Sequence, residues 1–177
     1  MSEERIAAAL ARLESALRLR PKFADHEESP AMARWQGGLK LSVHPPKGDL
    51  KVLTDLPGEL GGDGEGVTPG WLMRAGLAAC TASSILLIAA AEGIELESLE
   101  LTAGGRSDVR GLLGMADETG EPVSAAFRVV RLLVRISAPG VSRERLQALV
   151  ERADRRSPVS SALRQVVPLE LSVELQD

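Results

Sequence analysis

The chain has no tyrosine, two phenylalanines and two tryptophans among its 177 residues. Hydrophobic residues nevertheless make up 44% of it, so the interior has to be built from Leu, Val, Ile and Ala. Its one cysteine, Cys80, excludes a disulfide within the chain, which fits a reducing cytoplasm. The two histidines, His26 and His44, stand far apart without helical or CxxC-type companions, and zinc asks for several converging ligands. No metal or other cofactor is expected. Both histidines also fall in linker or turn sequence, which disfavours a Cys–His nucleophile pair. Positive charge is scarce too: the net charge is −4, so neither nucleic acid nor an anionic membrane is an expected partner. The basic cluster Arg152, Arg155, Arg156 reads as the solvated face of a helix rather than a phosphate site. The N-terminus begins acidic and carries charges through its apolar pattern, unlike a secretory signal. The least charged stretch, residues 75–91, falls short of a membrane span and is diluted by small residues; a buried helix is the better reading.

Length alone favours one domain, and no internal repeat or low-complexity tract interrupts it. Ile6, Leu10, Leu13 and Leu17 recur at helical spacing, predicting an amphipathic helix over residues 3–19 that Pro21 closes. Residues 21–30 read as a linker, so residues 1–30 stand apart from a domain over residues 31–177. Ala31–Val43 and Leu50–Thr54 read as strands separated by the His44-Pro-Pro-Lys-Gly turn. Residues 56–67 are Gly-rich and acidic, and without Lys and Ser/Thr they form a loop rather than a phosphate cradle. Thr68-Pro69 supplies a cap and a first-turn proline for a long helix ending near Glu92, with Gly93 as its stop. Being apolar on nearly every face, that helix must be covered on nearly every side. Strands are expected at Leu96–Ala103, Ala126–Ser137 and Leu169–Leu175. Ser142 and Ser157-Pro158 open two helices between the last two, the first with a Leu146, Leu149, Val150, Ala153 stripe. The order predicts an α+β fold with antiparallel pairing.

Ala75–Ala91 reads AGLAACTASSILLIAAA, with no ionisable side chain besides the Cys80 thiol. Two readings stay open: a small core residue, or a nucleophile in a dry pocket. Ser83 and Ser84 fall on the same helix side and make the surroundings partly polar. A reactive thiol needs a cation close by. Arg74 is six residues away and well round the helix; Arg34, before Trp35 in the first strand, is the better candidate.

The run GELGGDGEGVTPGWLMRAGLAACTASSILLIAAAEGIELESLEL resembles the core of the OsmC/Ohr family, in which a Gly-rich loop leads into a central helix bearing an "AAC" cysteine. The closing LQALVERADRRSPVSSALRQVVPLELSVEL is similar to that family's helix, "CPVS" segment and final strand. The resemblance covers about residues 31–177 and leaves the helix at 3–19 outside. It implies an intertwined homodimer with antiparallel curved sheets wrapped around long central helices, and active sites at the subunit interface. It further implies reduction of organic hydroperoxides, with Cys80 attacking the O–O bond and Arg34 matching the family's arginine. The resolving cysteine falls on Ser157, and the family's glutamate, ten residues before the attacking cysteine, falls on Gly70. Glu59 or Glu65 is offered as a substitute. A hydroxyl forms no disulfide, so a sulfenic acid at Cys80 would need an external dithiol. Ser157 has its own explanation as a helix cap, and Ser157 and Ser84 are the binding-site candidates. The alternative is a dimeric binding protein for an apolar small molecule, with Cys80 as pocket lining; a third reading is a scaffold that engages another protein through the 3–19 helix.

Overall fold

A computed structural model describes residues 3–165 and 167–175. The N-terminal amphipathic segment forms α1 (Glu3–Leu19), ending before a short 3-10 turn at Pro21–Phe23. Next comes a three-stranded antiparallel sheet, β1 (Met32–Gly37), β2 (Lys40–His44) and β3 (Val52–Thr54), in that spatial order. Ala31–Val43 is thus a hairpin rather than one strand. Gly37 and Gly38 both take positive φ, +107° and +54°, and turn the chain so that Gly37 pairs with Lys40.

The acidic loop is organised by Asp55, only 1% exposed. Its carboxylate accepts the backbone N–H groups of Leu56, Asp63 and Glu65 at 2.8–3.2 Å. Burial pushes this carboxyl up, but the three amides and Lys40 outweigh it and hold it below its ordinary value. Lys40 in turn pairs with Asp63 and Glu65, both at 2.8 Å, and is held protonated above the usual ammonium range by those two acceptors. Gly62 and Gly66 let the loop lie against residues 53–56; a Cβ at Gly66 would meet the Leu53 carbonyl oxygen at 2.6 Å.

The long helix α2 runs Pro69–Ala91, with the Thr68 hydroxyl accepting from the Trp71 amide and Gly93 at φ +62° beyond its end. By length and composition it could cross a membrane; here it packs against α1 and the elements that follow. Those are β4 (Ser98–Arg106), the single turn α3 (Val109–Leu112), β5 (Val129–Ser137), α4 (Arg143–Arg156) and α5 (Pro158–Arg164). β4 and β5 form a second antiparallel sheet, Leu101 opposite Val134. The fold is α+β, as the order of elements predicts. Its core joins Ile85, Ile88 and Ala89 of α2 with Ile94 and with Leu149 and Ala153 of α4, and the β4–β5 pair closes over them.

Two expectations change. Residues 167–175 form no strand, because their alternating apolar residues have no paired edge beside them; Leu169 and Leu171 are 94% and 87% exposed. The central helix is also not covered all round. Leu77, Thr81, Ile85, Ile88 and Ala89 are buried, but Leu86 and Leu87 on the other side remain 46% and 44% exposed.

Candidate functional site

Cys80 lies midway along α2, beside the buried face rather than on it, and is partly exposed. One turn on, the Ser84 hydroxyl donates to the Cys80 carbonyl oxygen at 3.1 Å, so its proton serves the helix backbone. The next residue, Thr81, is fully buried and faces α5. There Ser157 is also fully buried; it caps α5 by accepting from the Ser160 amide, and its hydroxyl accepts from Thr81 Oγ1 at 3.2 Å. Ser157 therefore stands against the turn of α2 that carries Cys80, with Thr81 as its direct contact.

The hydroxyls continue outward. Thr81 Oγ1 and Ser160 Oγ are 3.3 Å apart, Ser160 donates to Asp154 Oδ1 at 2.8 Å, and Arg164 grips the same carboxylate at 3.3 and 2.7 Å. A cluster this deep holds together because every hydroxyl has a partner and the lone carboxylate has a guanidinium. Of its five members, sequence reasoning names only Ser157. The Asp154 to Ser160 to Arg164 spacing across the α4–α5 junction is a signal that could have flagged three more. A cavity of about 740 Å³ opens beside this cluster, with Thr81, Asp154 and Arg164 on its polar side and Leu77, Val134 and Val150 on its apolar side. Cys80 is not among its lining residues, so the expectation of a thiol lining the pocket finds its neighbour there instead.

Arg34 is exposed on β1, opposite Ser42, and its guanidinium makes no hydrogen bond or ion pair among the described residues. β1 packs on β2, whereas the main neighbours of α2 are α1, α4, α5 and β4. Within one chain Arg34 and Cys80 thus sit on elements that do not share a main packing face. Arg74 lies over the Phe127 ring at 5.7 Å from its centroid. A Cβ at Gly70 would touch Arg74 Nη1 at 3.4 Å and Phe127 Cζ at 3.5 Å, so this stack borders the position that the resemblance gives to a glutamate. Glu65 is engaged by Lys40, and Glu59 stands in the 3-10 turn Gly58–Leu60. His26 pairs with exposed Glu28, and His44 Nδ1 lies 2.9 Å from the Pro45 carbonyl oxygen. Arg152 pairs with Glu92 at the end of α2, while Arg155 and Arg156 are exposed. Among the described residues no three His, Cys, Asp or Glu side chains converge as metal ligands.

This arrangement offers a half-open thiol on an apolar helix, backed by a buried hydroxyl network. The family model described as OsmC-like protein matches residues 62–172. The matched span begins in the loop before α2, leaving α1 and β1–β3 outside. An organic hydroperoxide resistance protein of Xanthomonas axonopodis pv. citri (strain 306) is 31% identical over 126 residues, covering 71% of this chain and 78% of that protein. The crystal structure of an organic hydroperoxide resistance protein OsmC from Legionella pneumophila is 28% identical at a TM-score of 0.56, covering 78% of this chain and 92% of its own. An OsmC like protein from Mycoplasma pneumoniae, 18% identical with a TM-score of 0.65, covers 80% and 91% and shares the fold.

Proposed function

Since the chain belongs to the OsmC-like protein family, we propose that it reduces organic hydroperoxides through Cys80, as a homodimer, with an external dithiol as reductant. The observation that carries this reading is the lone, partly exposed thiol on α2 with the buried hydroxyl of Ser157 beside its turn. The Cys80 thiolate attacks the peroxide O–O bond; one oxygen stays on sulfur as a sulfenic acid, and the other leaves as an alkoxide that takes a proton to become the alcohol. Ser157 has no thiol to condense with that sulfenic acid. One thiol of the dithiol therefore forms a mixed disulfide with Cys80 and releases water. Its second thiol then frees Cys80 and leaves as a disulfide. Arg34 stands on a sheet that a single chain leaves uncovered, where a second copy's Cys80 would find it. No cofactor is required, and the cycle suits a reducing cytoplasm.

The second reading, a binder of an apolar small molecule, is favoured by the cavity of about 740 Å³ beside Thr81. One experiment separates the two: measure organic hydroperoxide loss in the presence of a dithiol for the native chain and Cys80→Ser. The peroxidase reading expects turnover that Cys80→Ser lowers at least a hundredfold, with the native Cys80 trapped by a sulfenic-acid reagent. Equal consumption by the two proteins would leave the binder as the better account.

A further inference from the structure

Only 28% of the most apolar 18 residues of α2 are buried within the chain. Its open side runs through Gly76, Ala79, Ser83 and Leu86, all exposed and set at steps of three and four residues. The first three are small, which lets another element come close to the helix backbone. α1 lies alongside and packs chiefly on α2. It is loosely held: none of residues 4–19 is buried, and residues 24–31, which lead on to β1, are exposed throughout. The two helices leave a crevice of about 440 Å³ between them, lined by Ile6, Ala9, Leu10 and Leu13 of α1 and by Leu87 of α2. Leu13 is 56% exposed there and Leu87 44%. An amphipathic helix that buries so little against its own chain has most of its packing still to gain.

We propose that α1 is part of the homodimer interface, so that the second copy that meets the Cys80 face of α2 also covers the α1–α2 crevice. This rests on the homodimer of the proposed function. It goes beyond that reading because α1 lies outside residues 62–172, the span that the family model matches. Continuity of one face carries it. Leu87 follows Cys80 by seven residues, a rotation of only about 20° and a rise of about 10 Å, so a surface that closes on the thiol continues onto the crevice. The area agrees: the chain exposes 13674 Å², about 5,000 Å² beyond a compact monomer of its mass, enough to bring this face into the interface. A lipid surface fits less well, because α1 carries charges of both signs around the crevice, Glu4 and Glu14 beside Arg5 and Arg12.

The test is sedimentation over a dilution series for the full native chain and three variants of α1. Leu13→Glu and Ala9→Glu place a carboxylate in the crevice wall at exposed positions. Ala11→Glu places the same group at an exposed position about 160° round the helix from Leu13, and so controls for helix propensity and net charge. Leu13→Glu and Ala9→Glu are each expected to raise the dimer dissociation constant at least tenfold, and Ala11→Glu to leave it within about twofold. Constants for the two crevice variants that match that of Ala11→Glu overturn the proposal while the dimer, and the peroxidase reading with it, stands. A native chain that is monomeric at every concentration removes the dimer from the peroxidase reading and overturns the proposal as well. A monomer that floats with vesicles of phosphatidylcholine and phosphatidylglycerol assigns the face to a lipid surface, which also overturns it.

Discussion

Asp108 shows how single side chains here do two jobs. Its carboxylate caps α3 by accepting from the Arg110 amide and is clamped by the Arg110 guanidinium, with Arg128 on its second oxygen. The Arg110 side chain first, and its amide second, hold the Asp108 carboxyl down at about 2. A carboxylate depressed in the folded state stabilises the fold above its unfolded value of about 3.9. That contribution is lost as pH falls through the folded value, so the acid limb of stability steepens between about pH 4 and 2. Asp108→Asn keeps a side-chain oxygen for the cap but removes the ion pairs. The expected outcome is a shallower dependence of the melting temperature on pH across that window, measured by thermal unfolding at several pH values. Parallel curves for the two proteins would show that Arg110 and Arg128 leave Asp108's titration untouched. The consequence extends to the cavity beside Thr81, because Arg128 lines it.

Helix starts follow local chemistry, and the three that matter most were legible as such. Thr68, Ser142 and Ser157 each present an oxygen to an amide of the helix they open. They are not equivalent. Ser142 caps α4 by accepting from the Arg145 amide at 3.2 Å on the surface, so Ser142→Ala is expected to cost about 1 kcal/mol. Ser157 is buried and also accepts from Thr81, so its loss leaves the buried Thr81 hydroxyl only its 3.3 Å contact with Ser160; Ser157→Ala is expected to cost about 2 kcal/mol. Denaturant unfolding of both variants checks the order, and a Ser157→Ala cost no larger than that of Ser142→Ala would reduce Ser157 to an ordinary cap. The same contrast explains what could be read in advance. α2 and its cysteine stand out in one unbroken segment, and the stripe of α4 repeats every three or four residues. The hydroxyl cluster joins Thr81 to residues 76 and 79 positions away, a separation that no periodicity encodes. The turn at Gly37-Gly38 lies inside a run whose strand character continues on both sides, so the break between β1 and β2 was hidden. Alternation at Leu169–Leu175 is real, but a strand also needs an edge to pair with, and pairing is not a local property.

Exposed area argues for a second copy. The chain exposes 13674 Å², whereas a compact monomer of its 18.8 kDa mass exposes about 8,300 Å². The excess is on the order of 5,000 Å² for one chain, more than the share each subunit contributes to an obligate dimer interface of about 2,000–5,000 Å² in total. It is concentrated where apolar side chains face water: Trp35 on β1 at 71%, Leu50 before β3 at 69%, and Leu169, Leu171 and Leu175 near the C-terminus at 87% or more. Scattered apolar exposure is ordinary, but a whole three-stranded sheet with little of its own chain against it is not. Such a sheet is stable when its bare face meets another surface, because a small sheet alone buries too little to hold itself. The native chain is therefore expected to sediment at twice its monomer mass at micromolar concentration. Trp35→Asp places a charge on the edge strand of that sheet beside the β1–β2 turn, and desolvating an unpaired carboxylate in an interface there costs several kcal/mol. The substitution is expected to shift the dimer toward monomer by at least a hundredfold in dissociation constant, measured by sedimentation over a dilution series. It should also lower the melting temperature, since folding and association would then be coupled. A native chain that remains monomeric at every concentration would mean that the sheet holds its shape without a second copy. Arg34, on the same strand, would then stand away from any thiol, and the peroxidase would need another cation.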